Sequence, residues 1–291
     1  MVRRILITPR MTCCDSDLSL RLRLQKKTQP TAPANVLHYY TTLYSHWGPQ
    51  NWWPARTRLE VIVGAYLTQN TNWSNVEKAI ANLRRARVLS VSGLRSIPLR
   101  RLATLVRPSG YFRQKARKLK TFIRFLDGNY AGSFDRMFAQ PTDKLRVQLL
   151  ELNGVGPETA DSILLYAGNH PVFVADAYTR RIFERHQIIP AKSKYEEMRS
   201  LVERALHAAS LDSLRAELSE PDSSHHSPRH PISPMSRMAR SELAQHYSEL
   251  HALIVRAGNE YCRPTPRCEE CPLREFLPAP SEVPSASEGS L

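Results

Sequence analysis

The amino-acid sequence predicts an all-α protein. Apolar residues recur at intervals of three and four in successive segments between residues 36 and 260, which is the spacing of amphipathic helices. The sequence contains no convincing run of alternating apolar and polar residues, the pattern of a strand, and no internal repeat. With 291 residues, the chain is long enough to form two lobes of ordinary domain size.

The charge composition indicates a polyanionic partner. Lys and Arg exceed Asp and Glu by 14 charges. Such a surplus favours DNA or RNA binding through counterion release, and a basic surface without a ligand is the alternative. No apolar run approaches the roughly 20 residues that span a bilayer, so we expect a soluble protein with no membrane association.

The N-terminus and the cysteines bear on location. The first ten residues lack the apolar core of a secretory signal, while a transit peptide or a start at Met11 stays open. Five cysteines are an odd number, which fits a reducing compartment better than a disulfide framework. We expect a cytoplasmic protein associated with the nucleoid.

The first ordered elements are predicted to follow a mobile tail at residues 1–34. A helix is expected from Val36 to Gly48, and a polar loop with the tandem pair Trp52 and Trp53 comes next. Two exposed tryptophans before a proline are either a lid over the core or a stacking surface for a nucleic-acid base. The residues alone leave both interpretations open.

Two helices and a polar turn are predicted next. Residues 59–67 have the spacing of one buried helix face. Ser74 and Glu77 form a capping-box pattern, which predicts a helix that begins at residue 75 and leaves Trp73 before it. The amide side chains of Gln69 and Asn70 belong either to a plain turn or to an element that enters a DNA groove.

A basic helix and its predecessor are predicted within residues 98–126, separated by the sequence RPSGYF. Few acidic residues interrupt the basic ones, so a face directed at phosphates is favoured over a merely solvated face. The basic residues are Arg113, Lys115, Arg117, Lys118, Lys120 and Arg124.

Residues 149–185 form the most informative stretch. The pattern predicts a helix, a Gly-x-Gly hairpin at residues 154–156, a second helix beginning at Pro157, an apolar link, and a third helix opened by Asp176. Backbone N–H groups of such a hairpin, with a helix N-terminus, favour an anion such as a DNA phosphate. An anion-binding element beside a carboxylate indicates a DNA-processing site.

The C-terminal third is predicted to contain helices at residues 194–209 and 243–254. Between them, residues 212–238 are rich in Ser, Pro and His without regular ligand spacing, which predicts a flexible loop. Residues 278–291 are expected to be a mobile tail.

Three cysteines near the C-terminus have the spacing C-x5-C-x2-C: Cys262, Cys268 and Cys271. Zinc sites and iron–sulfur clusters both use such a pair with further ligands nearby. A fourth ligand is missing, because Leu277 follows Cys271 after a five-residue gap. A metal or cluster site and a decayed site that only caps the fold both stay open.

Six stretches carry a family resemblance: NWWP (51–54), GAYLTQNTNW (64–73), EKAIANL (77–83), VRPSGYFRQKA (106–116), GPETADSILLYA (156–167) and VFVADAYTRRIF (172–183). They resemble the helix-hairpin-helix DNA glycosylases of the endonuclease III superfamily, and within it the 3-methyladenine DNA glycosylase III group. The resemblance implies a two-lobed fold with the active site in the cleft. A six-helix lobe, residues 62–173, would be inserted in a second lobe formed by residues 35–61 and 174–277.

The resemblance also implies site residues. Asp176 matches the catalytic aspartate, a role compatible with its plain alternative as a helix N-cap. Glu158 occupies the position of the lysine that forms a Schiff base in bifunctional members, and a carboxylate cannot supply that amine. Trp52, Trp53 and Trp73 match base-pocket aromatics, although Trp73 stands where that group has Phe. The cysteine segment resembles the superfamily's [4Fe-4S] site, one ligand short.

We therefore expect a monomeric, monofunctional DNA N-glycosylase of base excision repair, acting on alkylated purines such as 3-methyladenine in double-stranded DNA. A cationic methylated base is an activated leaving group, which suits a site with one carboxylate and no obvious partner acid. Alternatives are an endonuclease III-like glycosylase and AP lyase on oxidised pyrimidines, and a catalytically silent damage-binding protein. The predicted DNA-contacting residues are Gln69, Asn70, Gly154, Val155, Gly156 and Thr159.

Overall fold

The computed structural model describes residues 32–209 and 230–278, with Leu214 and Leu218 between them, and these residues are helical without strands. The predicted all-α class is confirmed. The predicted mobile tails and most of the predicted flexible loop at 212–238 lie outside the described residues. Residues 32–34, assigned to the tail from the sequence, instead open the first helix.

Twelve α-helices lie within the described residues. They are α1 Ala32–Trp47, α2 Arg58–Thr68, α3 Trp73–Arg85, α4 Val91–Ser96, α5 Leu99–Leu105, α6 Phe112–Tyr130, α7 Phe134–Phe138, α8 Thr142–Leu150, α9 Pro157–Ser162, α10 Ala177–Arg185, α11 Tyr195–Ala208 and α12 Glu242–Glu260. Short 3₁₀ turns occur at Arg107–Ser109, Cys268–Glu270 and Arg274–Phe276. None of these helices has the length and apolar character needed to cross a membrane. The two-lobe division stays a prediction.

Helix α2 is the central element. All nine residues from Leu59 to Leu67 are buried, so the prediction of a single buried face was wrong. Helices α3, α6 and α9 surround α2, which is therefore buried on all sides. Its one buried charged residue, Glu60, forms an ion pair with Arg84 of α3. Thr57 caps the N-terminus of α2 by accepting a hydrogen bond from the backbone N–H of Glu60 at 3.2 Å.

Helix α6 contradicts part of the predicted phosphate-facing surface. Lys115 is buried, and its Nζ donates to the carbonyl oxygens of Leu67 at 2.9 Å and Ser109 at 2.6 Å. This ammonium satisfies a carbonyl at the C-terminal end of α2, where unpaired carbonyls need donors. Burial, and then the neighbouring Lys118, lower the pKa of Lys115 to about 8. Lys115 therefore supports the fold rather than a phosphate.

The start of α3 differs from the prediction. The cap is Asn72, whose Oδ1 accepts from the backbone N–H of Asn75 at 3.1 Å, and the Ser74 hydroxyl donates to the same oxygen at 2.8 Å. The predicted capping box of Ser74 and Glu77 was wrong because Asn is an equally good N-cap and lies two residues earlier. Trp73 consequently opens the helix, and its Nε1 donates to Glu77 Oε1 at 3.0 Å.

The hairpin joins α8 and α9. Pro157 is the first residue of α9 as predicted, and α9 continues into a buried π-helical turn at Ile163–Ala167. The fully buried Asp161 accepts from Arg146 at 2.6 Å and 3.0 Å and from Tyr195 at 2.8 Å, which ties the hairpin to α11. The buried charge is tolerated because it is paired and hydrogen-bonded. Helix α10 then packs along α12.

Candidate active site

A cleft of about 500 Å³, here called the central cleft, opens between elements that are far apart in sequence. The loop before α2, the start of α3, the start of α9, the N-terminus of α10 and the middle of α12 all contribute side chains. Its aromatic and titratable lining residues are Trp52, Trp53, Trp73, Glu77, Glu158, Asp176, Tyr178, His230 and His251. The size suits a small-molecule group such as a nucleobase.

The three tryptophans form one aromatic wall. The ring centroids of Trp52 and Trp73 are 5.7 Å apart, and those of Trp53 and Trp73 are 5.2 Å apart in an edge-on arrangement. Trp53 is only 5 % exposed and Trp52 is half-buried, so the expectation of two exposed tryptophans was wrong. The Ser233 hydroxyl donates to the Trp53 carbonyl at 2.7 Å, and the His230 ring lies 5.1 Å from Trp52.

Asp176 serves as the N-cap of α10 and faces the central cleft. Its Oδ1 accepts from Thr179 N at 2.8 Å and Thr179 Oγ1 at 3.0 Å, and its Oδ2 lies 3.6 Å from Nε2 of His251. Burial opposes ionisation, but His251 and the Thr179 hydrogen bonds outweigh it, so the pKa of Asp176 lies below its ordinary value. The group is a carboxylate at neutral pH.

Glu158 adds a second carboxyl group to the same cleft. Desolvation by the surrounding protein, followed by the Asp176 charge, raises the pKa of Glu158 to about 7, while His251 acts in the opposite direction. Glu158 is exposed to the open cleft, so solvent screens part of this effect. The prediction of a single carboxylate without a partner acid was therefore wrong, because the fold brings the start of α9 beside the N-terminus of α10.

The hairpin gathers several of the predicted DNA-contacting residues. Gln69 Nε2 donates to the Gly154 carbonyl at 3.1 Å and to Thr159 Oγ1 at 2.9 Å, and Lys118 Nζ donates to Gln69 Oε1 at 2.6 Å. Gly154 has φ +82°, which favours glycine, and the Lys118 stem fills the space that a Cβ would need. Gln69 is thus bonded to the hairpin rather than free in solvent.

The residues around the hairpin turn differ in exposure. Gly154, Gly156 and Asn70 are exposed, whereas Val155 is buried and its N–H donates to the Leu152 carbonyl at 3.0 Å. Val155 therefore holds the turn together. A second, open groove, here called the hairpin groove, adjoins the central cleft and is lined by residues 154–159, Lys118 and Arg181, among others.

The cysteine segment, residues 262–277, does not fit a four-thiolate cluster. Among the described residues, no group of three or more metal-ligating side chains is arranged to hold an ion. Leu277 closes the small cavity between the cysteines, and Arg185 Nη1 lies 3.3 Å from Cys262 Sγ. Burial raises the pKa of the Cys271 thiol, which disfavours the thiolate that binds metal.

Comparison with known proteins places this geometry in a family. Residues 63–207 match the model of the HhH-GPD superfamily base excision DNA repair proteins. The chain is also 39 % identical over 243 residues to a Methanocaldococcus jannaschii protein named "putative DNA repair glycosylase", covering 83 % of this chain and 94 % of the relative. The chain belongs to the HhH-GPD superfamily. The family resemblance that the sequence motifs indicated is confirmed, and the protein is a DNA glycosylase of base excision repair.

Solved structures share the HhH-GPD fold. The 3-methyladenine DNA glycosylase of H. pylori, solved with 1,N6-ethenoadenine, is 27 % identical with a TM-score of 0.63, over 79 % of this chain and 98 % of that one. A trapped endonuclease III–DNA covalent intermediate is 18 % identical with a TM-score of 0.60, over 84 % and 93 %. The second similarity is one of fold alone.

The sequence did not single out two residues that line the cleft, His230 and His251, or the buried Tyr166 that contacts His251. His251 lies in the apolar helix α12, Tyr166 lies in the π-helical turn, and His230 lies in the Ser/Pro/His-rich stretch. His251 and Tyr166 occur at core positions of helical patterns, where a polar side chain in a buried stripe was the only available signal. Their meeting with Asp176 depends on long-range packing.

Proposed function

We propose that this glycosylase hydrolyses the N-glycosidic bond of alkylated purines, 3-methyladenine foremost, in double-stranded DNA and leaves the strand uncut. The lining of the central cleft carries the proposal. Three indole rings and three carboxyl groups line it, and its described lining residues include neither Lys nor Arg. A purine methylated at N3 is cationic, and indole faces and carboxylates both attract a cation.

The hairpin groove supports a binding geometry for the DNA backbone. Exposed Gly154 and Gly156 beside the start of α9 offer backbone N–H groups to a phosphate, and Lys118 and Arg181 add positive charge. The damaged nucleotide would rotate out of the duplex into the adjoining cleft. Gln69 and Asn70 lie between groove and cleft, where they would fill the vacated space once the bonds of Gln69 to the hairpin open.

Asp176 is suited to the chemical step. As the C1′–N bond breaks, its electron pair moves to the cationic base, which leaves as a neutral molecule, and the sugar becomes an oxocarbenium ion. The Asp176 carboxylate stabilises this cation, orients the attacking water and accepts its proton. Breaking the C1′–N bond needs no proton from the protein, because alkylation has already made the base a good leaving group.

Glu158 supports the monofunctional part of the proposal. The strand-cleaving route of bifunctional relatives needs an amine that attacks the sugar, and Glu158 at that position has none. The H. pylori relative, a 3-methyladenine DNA glycosylase, supports the substrate class.

The test is release of free bases from methylated duplex DNA by wild type and Asp176→Asn, with strand cleavage followed in the same samples. We expect wild type to release 3-methyladenine without nicking, and Asp176→Asn to be slower by roughly 10²- to 10⁴-fold. Asn retains the cap to Thr179, so an unchanged Tm separates catalysis from capping.

Two results contradict the proposal. Absence of base release by wild type would end the assignment to alkylated purines. A borohydride-trapped enzyme–DNA adduct would instead favour a glycosylase and AP lyase of the endonuclease III kind. Glu158→Lys provides the matched control for trapping, because it places an amine at the lyase position and keeps the Asp176 side chain.

A further inference from the structure

A buried histidine, His251, lies beside Asp176. Asp176 is within the part of the chain that the family model matches, and His251 is outside it. His251 is on α12, whereas the match ends at residue 207. Its Nδ1 is 2.5 Å from the Tyr166 hydroxyl, and its Nε2 is 3.6 Å from Oδ2 of Asp176. Within the described residues, Nε2 has no hydrogen-bond partner, so Asp176 is the carboxylate this buried nitrogen faces.

The two neighbours of His251, Tyr166 and Asp176, together favour the tautomer that carries the hydrogen on Nε2. The Tyr166 side chain is fully buried, and burial raises the pKa of its hydroxyl far above the ordinary value, so the hydroxyl keeps its proton. Nδ1 of His251 contacts this hydroxyl, and Nε2 faces Asp176, an ionised carboxylate that can only accept. The tautomer with its hydrogen on Nε2 satisfies both contacts, because Nδ1 then accepts from Tyr166. A neutral imidazole that accepts at Nδ1 carries its own hydrogen on Nε2. His251 therefore presents an N–H to Asp176.

We propose that Tyr166 and His251 are positioning residues for the hydrolysis: the Tyr166 hydroxyl orients the His251 ring so that Nε2–H holds Oδ2 of Asp176 in place as a carboxylate. This inference rests on the proposed role of Asp176. Thr179 already fixes Oδ1 through two hydrogen bonds, so His251 provides the restraint on the other oxygen. The 3.6 Å separation is long for a hydrogen bond, as catalytic contacts often are in the absence of substrate.

The charged groups around Asp176 determine how strongly its ionisation depends on His251. Glu158 approaches from α9 and disfavours a second negative charge, since each carboxylate raises the cost of ionising the other. Behind Tyr166, Arg240 and Glu249 act on its hydroxyl in opposite directions. At Asp176, the contact with His251 is the largest of the interactions that offset burial, and the Thr179 hydrogen bonds come second. Removing His251 should raise the pKa of Asp176, so that activity is lost at a higher pH as the solution is acidified.

The test is the pH profile of single-turnover base release from methylated duplex DNA. We expect His251→Leu and Tyr166→Phe to lower the rate at neutral pH roughly 10- to 100-fold, as for loss of a hydrogen bond to a charged group. Their acidic limb should move to higher pH. His251→Gln should recover much of both losses, because its amide can accept from Tyr166 and donate to Asp176.

Helix α12 offers a matched control. Tyr40 and His246 form a second tyrosine–histidine pair, with the hydroxyl 2.9 Å from Nδ1, and His246 Nε2 is 3.9 Å from Glu242. This pair is not part of the central cleft. Tyr40→Phe should therefore leave the rate and the acidic limb unchanged, and the Tm of each variant shows whether it is folded.

The proton position in His251 has a readout that needs no substrate. In ¹⁵N NMR of the wild type, we expect Nε2 to be the protonated nitrogen of His251, and Tyr166→Phe to shift the balance towards Nδ1. Folded variants with a wild-type acidic limb, or a wild-type His251 protonated at Nδ1 alone, would overturn the inference. Failure of wild type to release any base would overturn the proposed function instead, and the two failures are therefore distinct.

Discussion

The central cleft and the cysteine segment both adjoin α12, the first at its middle and the second after its C-terminal end. They differ in whether their polar groups are arranged as a site. The middle of α12 places His251 beside Asp176 and Tyr166, which come from distant parts of the chain. The end of α12 leads into three cysteines that are neighbours in sequence. The distant groups form an organised site, whereas the neighbouring ones do not form a metal-binding set among the described residues.

The surroundings of the cysteines explain the difference. Arg185 donates to the backbone carbonyls of Arg263 at 2.7 Å and Pro264 at 3.0 Å, and Arg181 donates to that of Cys262 at 2.5 Å. These bonds hold the segment against α10. Ligand spacing in a sequence indicates a metal site only when the last ligand and the free lone pairs are also present. In this molecule the candidate active site is formed by residues that folding brings together, not by residues that are neighbours in the sequence.

The largest expected contrast concerns one tryptophan that lines the central cleft and one that is packed in the core next to the cysteine segment. Trp73→Ala removes a stacking surface, which is worth about 1–3 kcal/mol per base, and should weaken substrate binding roughly 5- to 150-fold with little change in Tm. Trp47 is 3 % exposed, is stacked on Tyr261 and lies 4.5 Å beneath the guanidinium of Arg256. Trp47→Ala should lower the free energy of unfolding by about 3–5 kcal/mol and leave the binding of substrate by the folded protein unchanged.

Measurements of KM for base release and of urea unfolding for both variants check this contrast. Equal loss of substrate binding in the two variants would mean that the aromatic wall is only part of the core.

A smaller effect is expected in the pH dependence of stability. The pKa of Glu158 is about 7 in the fold, above the ordinary value of 4.5, so the folded protein binds this proton more tightly. Its contribution to stability is present below about pH 4.5 and is lost as the pH rises through 7. Glu158→Gln should therefore flatten the decline of Tm over this range.

The matched control is Glu275→Gln, which changes an exposed glutamate of the cysteine segment. An identical pH dependence of Tm in wild type, Glu158→Gln and Glu275→Gln would contradict the electrostatic description of the central cleft.

The smallest effect is expected from the cysteines. Cys268→Ser should leave base release and Tm nearly unchanged, because the described structure gives this half-buried thiol no place in the central cleft. Iron analysis and ultraviolet–visible absorption of the purified wild-type protein check the same point. A sulfur-to-iron absorption band that disappears in Cys268→Ser would reverse the comparison and make the segment a cluster site.

The sequence by itself determined the helical class, the hairpin and the family. Local rules were sufficient for these features: helical periodicity places most of the helices, Pro157 begins α9, and Gly154 adopts the positive φ that the turn requires. Asp176 was also identified from the motif. The local capping rule failed at α3, because Asn72 and Ser74 are both good N-cap residues and lie within one turn. In the structure, Asn72 is the cap, and its side chain accepts from the backbone N–H of Asn75.

Only the tertiary structure decided the electrostatics of the site. Burial, distance and hydrogen-bond partners fix a carboxyl group's ionisation, and none of these is a property of sequence neighbours. Packing of α10 and of the π-helical turn after α9 against α12 brings His251 to Asp176 and Tyr166 to His251. Lys115, on a helix predicted to face phosphates, instead points inward and caps α2. Long-range packing therefore converts one recognisable aspartate into an ionised group with a defined orientation.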